Sequence, residues 1–301
     1  MRRIGLGVFA AALALLAGLA PALAAPLDDA CRSAMRERLN LVIGLYRIEI
    51  GASHIVGQVA AARGNPGRQQ QLASAEDGLR ELLARLKSRA GDVLPDTGAK
   101  GRCSAEAQAV VGPIHAAVAG YFQAVDARWA FMERRIAEVR RLPQGQTLPM
   151  DPAEIDLWMR EPLARYEVWR TLAQAAEPKS EAASALYTLG MLTRFEWDSA
   201  VALRDALAPN GDPRPQLAAA SGDATALKRN FPRPDDSERS QLWNGLATLV
   251  AALPELERTP PPASAPAGGW PVWIGNWLKG YGEAFTRTIP TVLKGIEDLG
   301  L

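Results

Sequence analysis

From Asp28 to Ala62 the apolar residues of this chain recur at spacings of three and four, and the same rhythm returns in every long segment that follows. Leu41, Leu45, Ile48, Ala52, Ile55 and Val59 form the first stripe, widened by Leu39, Val42, Tyr46 and Ile50. That spacing gives an α-helix one apolar face, because 3.6 residues complete a turn. No stretch alternates apolar and polar residues convincingly, so nothing in the chain specifies a sheet. The expected fold class is all-α: a disulfide-tied multi-helix bundle with a linker-tethered C-terminal amphipathic helix.

The breaks between stripes carry the usual chemistry of helix ends. Gly64, Asn65, Pro66 and Gly67 stop the first helix. A second helix is expected from about Arg68 to Ala90, with Leu72, Leu79, Leu82, Leu83 and Leu86 inward. Ser104 is placed to cap a third, running to about Arg141 with Pro113 inside it. Asp151, Pro152 and Glu154 make a strong start for the next: a capping acid, a proline at the first helical position and a carboxylate in the first turn. Its expected inward face is Ile155, Trp158, Pro162, Tyr166, Trp169 and Ala173. Pro178 precedes a helix through Leu207, and a short helix is expected within Leu217 to Arg229. Asp236 or Ser237 should cap a further one through Leu253.

Two cysteines, Cys31 and Cys103, are the whole complement. One stands at the start of the first long helix and the other just before the third. In an up-down-up arrangement those starts meet at one end, so a Cys31–Cys103 bridge needs no distortion. Bridges of this kind belong to oxidising compartments. The N-terminus agrees. Arg2 and Arg3 precede an apolar run from Ile4 to Leu19, and Ala22 and Ala24 form an A-x-A cleavage site. Residues 1–24 therefore read as a signal peptide, and the chain as exported, periplasmic or secreted. Residues 25–146 read as the disulfide-tied bundle, 147–257 as a second helical layer, 258–269 as a Pro/Gly/Ala-rich linker and 270–301 as a Trp-rich amphipathic segment. No other apolar run is expected to span a membrane.

Charge excludes some partners. The chain carries 34 basic and 33 acidic residues, and removal of Arg2 and Arg3 leaves 32 basic. A near-neutral balance gives no footprint for nucleic acid. The histidines, His54 and His115, fall in no metal-ligand spacing, and helical rise separates them by roughly 16 Å along the bundle. No cofactor, metal or catalytic residue is expected. Glu49 and Glu196 are acids among apolar neighbours and are the candidates for acid–base chemistry. The plainer reading of Glu49 is an ion pair with Arg47 or Arg38. Trp158, Tyr166, Trp169 and Trp197 fit a core stripe or the wall of a ligand pocket.

The C-terminal segment has the strongest pattern. Trp270, Trp273, Trp277, Tyr281, Phe285 and Ile289 fall on one helical stripe. It follows a linker containing Pro260, Pro261 and Pro262. A tryptophan-rich stripe behind a tether suits docking on a membrane surface or a protein partner, and it equally suits a helix that folds back and completes the core, since an exposed stripe this apolar would aggregate. The expectation is a non-enzymatic periplasmic interaction or scaffold protein that docks through this segment. The alternative is a helical-bundle binder of a small or apolar ligand, and an enzyme without a recognisable motif ranks last. On the docking reading, a chain ending at Arg258 keeps its stability.

Overall fold

The computed structural model describes residues 29–94, 103–143, 146, 148, 152–177, 179–208, 210–231 and 240–299. The expected signal peptide and the expected caps Asp151, Asp236 and Ser237 lie outside the described residues. Among the described residues every regular element is helical: α1 Asp29–Val59, α2 Pro66–Val93, α3 Ala105–Arg141, α4 Pro152–Ala175, α5 Glu181–Leu207, α6 Arg214–Asn230, α7 Gln241–Ala252 and α8 Trp270–Asp298. Asn65 caps α2 by accepting from the Arg68 N–H, with Pro66 opening the helix. Ser104 and Ser180 cap α3 and α5 in the same way. Ser240 caps α7, a few residues later than the expected positions.

Two helices are enclosed by the others. Leu41 to Tyr46 of α1 are buried without interruption, and α1 packs against α2, α3 and α8. Buried residues ring α5, which packs against α4, α6, α7 and α8. The α3–α4 contact and α8 join the two sets, and one cluster of buried apolar side chains runs through both. By length and hydropathy Cys31–Val59 is a helix that could cross a membrane. This differs from the sequence expectation, and the reason is its burial on several faces inside the bundle.

The Cys31–Cys103 disulfide holds two Cα atoms 4.9 Å apart. It closes a separation of 72 residues, which contributes about 4 kcal/mol in the chain-entropy treatment. It also sets a register. Glu49 and Tyr121 each lie 18 residues beyond their cysteine, and they are hydrogen-bonded to one another.

The C-terminal segment takes the fold-back arrangement. Its stripe faces the chain's own core: Trp270, Ile274, Trp277, Tyr281, Ile289, Val292, Leu293 and Ile296 are buried, and Trp273 and Phe285 pack partly buried against them. The linker and the residues just before it contact α6. Arg214 Nη1 donates to the Ala263 carbonyl at 2.9 Å, and the Leu256 N–H donates to Ser221 Oγ at 3.1 Å. Glycines permit the seat. A Cβ on Gly295 would stand 2.6 Å from Leu242 Cβ and 3.2 Å from its Cα. A Cβ on Gly245 would meet Val292 Cγ2 at 2.7 Å. The α7 and α8 backbones thus approach closer than side chains would allow. In this conformation no free apolar stripe is left on α8 for a membrane or a partner.

Gly295→Ala should therefore cost about 1–3 kcal/mol, because the obstructing atoms belong to the Leu242 backbone and its Cβ and cannot rotate away. Removing α8 uncovers several large side chains, each stabilising by about 2 kcal/mol, a sum comparable to the whole stability of a domain. A chain ending at Arg258 is expected to lose cooperative thermal unfolding by circular dichroism. An unchanged melting temperature would show that α8 does not complete the core.

Candidate functional site

The inward face of α4 carries charges. Glu161, Arg165, Val168, Trp169 and Leu172 are buried, spaced by three and four. This face is turned slightly from the expected one, so Tyr166 is only half-buried and Arg165 lies inside. A guanidinium in the interior needs acceptors on every side, since its desolvation costs several kcal/mol.

Two carboxylates supply them. Arg165 Nη1 pairs with Glu49 Oε1 from α1, and Nη2 pairs with Glu196 Oε2 from α5. Each carboxylate takes a phenol on its other oxygen. Tyr121 OH donates to Glu49 Oε2 at 2.8 Å, and Tyr281 OH donates to Glu196 Oε1 at 2.8 Å. The guanidinium carbon sits 4.2 Å above the Tyr46 ring, a cation–π contact. Arg165 Nε reaches Thr193 Oγ1 at 3.4 Å. The result is a Tyr–Glu–Arg–Glu–Tyr chain drawn from α3, α1, α4, α5 and α8.

A second ion pair lies beside the first. Arg128 of α3 pairs with Glu161, donates to Ser53 Oγ at 2.9 Å, and lies 4.0 Å from Glu49. Its guanidinium stands over Trp158 at 5.6 Å. Burial pushes the Glu161 carboxyl up to about 8, outweighing the pull of Arg128. Burial also raises Glu196 above the ordinary carboxylate range against the pull of Arg165. Burial raises all three phenols, Tyr46, Tyr121 and Tyr281, so they stay protonated and act as donors.

Two clefts open onto this network, and both reach Glu49, Ser53 and Glu196. One, of about 340 Å³, lies among α1, α3, α4 and α5 beside Trp158, Arg128 and Arg165. The other, of about 560 Å³, lies among α1, α5 and α8 beside Tyr46, His54, Tyr281 and Phe285. Both fall in the size range of small-molecule sites.

The structure thus brings together Glu49 and Glu196, the two acids singled out in the sequence, but on Arg165. Arg47 pairs with Glu297, and Arg38 donates to the carbonyls of Ala34 and Val93. Of the four candidate aromatics, Trp158 lines the smaller cleft, Trp169 is core, Trp197 is half-buried, and Tyr166 faces a separate surface groove between α4 and α5. Tyr281 and Phe285, read as docking residues, line the larger cleft. His54 is exposed at its edge, and His115 is half-buried on α3. Arg128, Glu161 and Arg165 escaped the sequence reading. Their signal was a set of charges at helical spacing on an otherwise apolar face. Among the described residues no cluster of three or more metal-ligating side chains occurs. Comparisons with protein-family models, curated proteins and solved structures return no match to this chain.

Removing the central cation should be severe. Arg165→Met strands two buried carboxylates and is expected to cost about 3–5 kcal/mol in denaturant unfolding. Adding Glu49→Gln and Glu196→Gln to that variant should restore much of the loss. A single variant as stable as the parent would mean that the carboxylates are solvated.

A separate acidic pair joins α5 to α6. Asp198 is raised to about 7 by burial, then by a hydrogen bond to Asp223 and by its charge. Arg194 pairs with Asp223 at 2.9 Å on the outer side. A carboxyl raised in the fold binds more protons than in the unfolded chain, so stability falls as pH rises from the ordinary carboxylate range through about 7. Asp198→Asn keeps the donor and removes the titration. It should match the parent near about pH 4 and exceed it near about pH 8 in thermal melts. Parallel pH profiles would show that Asp198 does not hold this proton.

Proposed function

We propose that this chain is an exported, non-enzymatic helical-bundle protein that binds a small molecule in the clefts above the Glu49–Arg165–Glu196 network. The observation that carries this reading is the meeting of that network with two clefts at Glu49, Ser53 and Glu196. A buried ion network contributes little net stability compared with apolar residues of the same volume. Polar groups fixed at the base of an otherwise apolar cleft are what a binding site needs for orientation and specificity. The apolar run behind Arg2 and Arg3, the A-x-A site and the disulfide support an oxidising location, periplasmic or secreted. Docking through the C-terminal stripe is the less favoured reading, because that stripe is already used inside the bundle.

Native mass spectrometry of the protein purified from its source tests the proposal, and the expected result is a retained non-covalent mass. Gly57 lines the smaller cleft and Gly282 the larger, and a Cβ at either meets nothing within 4 Å. Gly57→Leu and Gly282→Leu should therefore fill the clefts without collision and improve helix propensity. Loss of the mass in one of these variants, with thermal stability kept, supports the reading. A bare protein from source, or a mass retained in both variants, overturns it.

A further inference from the structure

We infer that the larger cleft takes an organic cation, a protonated amine carried on an apolar body; this rests on the ligand-binding reading above and names its chemistry. Both clefts include Glu49 and Glu196, and the smaller adds Glu154, but they differ in cations. The smaller includes Arg128 and Arg165 among its lining residues, whereas among the described residues no lysine or arginine lines the larger. Its ionisable acids are Glu49 and Glu196, with His54 at the rim. The guanidiniums of Arg128 and Arg165 thus line the cleft toward α3 and α4, and the cleft toward α8 meets the network through Glu49 and Glu196.

Exposure points the same way. The Arg165 side chain is 1% exposed, while Glu49 keeps 11% and Glu196 keeps 19%. The members of the network that reach the cleft are its acceptors. Hydrogen-bond capacity agrees as well. Arg165 donates to Glu196 and Thr193, pairs with Glu49 by charge and lays its π-face on Tyr46. Each carboxylate has about four lone-pair sites. Arg165 and a phenol occupy opposite oxygens of each and leave acceptor capacity over. An incoming group that donates several N–H bonds and carries positive charge meets the two carboxylates of this lining and fills their remaining acceptor sites. A neutral alcohol fills only part of them, and a carboxylate is repelled. The walls are Tyr46, Ile50, Tyr281 and Phe285, with rings 6.1 Å apart for Tyr46–Phe285 and 5.8 Å for Tyr281–Phe285. Such walls suit an apolar body and add cation–π attraction at the charged end.

Three probes of one shape separate the possibilities: phenethylamine, phenethyl alcohol and hydrocinnamate, titrated against the full chain by calorimetry and saturation-transfer NMR. The expected order puts the amine about tenfold or more ahead of the alcohol, with the carboxylate weakest. Glu196→Gln should remove that preference, and Gly282→Leu should remove binding of the amine altogether. Equal binding of amine and alcohol, both lost in Gly282→Leu, overturns the cation inference and leaves the cleft as a ligand site. No binding of the amine also overturns the inference. Amine binding unaffected by Gly282→Leu overturns the inference and the cleft reading together.

Discussion

A guanidinium held away from water between two carboxylates sets the terms for the rest of this bundle. Arg165 is among the largest fully buried side chains, and its desolvation must be offset by acceptors placed on both sides. Those acceptors come from α1 and α5, which lie at the centres of the two helical groups. The two groups are thereby held in one relative position by charge as well as by apolar packing. Interchanging their faces, or sliding either by a turn, would strand an ion in the core. Apolar contacts alone tolerate such errors more readily, because hydrophobic burial has no direction.

The tyrosines limit the carboxylates in turn. Each phenol occupies one oxygen, and the Tyr46 ring covers a face of the guanidinium. The chain of contacts is nearly symmetric, yet its surroundings are not. Arg128 and Glu161 stand on the α3–α4 side, and aromatic rings stand on the α8 side. A local asymmetry of this sort produces a directed field inside a low-dielectric site, even where charges nearly cancel.

Much of the architecture was legible in the sequence, and the misses have physical causes. Helix positions followed from spacing and from caps such as Ser104, because both are local properties of the chain. The disulfide followed because Cys31 and Cys103 precede two helices of matching direction. Glu49 and Glu196 stood out as acids on apolar faces, but their shared partner could not be read, since pairing across three helices is set by tertiary packing. On α4 the prominence of Trp158, Tyr166 and Trp169 drew the expected face slightly away from Glu161 and Arg165. The stripe on α8 was legible as amphipathic, and whether it folds back on the core or docks elsewhere was not. Amphipathicity says that a face must be covered; it does not say by what. The covering helix α7 is only twelve residues long, and its fit rests on Gly245 and Gly295, whose role shows only when two backbones are seen side by side.

Glu49 lies on α1 and Tyr281 on α8, so the buried network joins segments far apart in sequence. A ribosome delivers the N-terminal end first. Until α8 emerges, Glu196 has its salt bridge available but not its phenol, and the apolar cradle that α8 fills stays open to water. The first helices can find one another early, because their contacts are nearer in sequence and are sealed by the disulfide. Helix α8 then acts as a closing piece over that cradle. A quality-control system that senses exposed apolar surface would therefore judge this protein chiefly by whether α8 is in place.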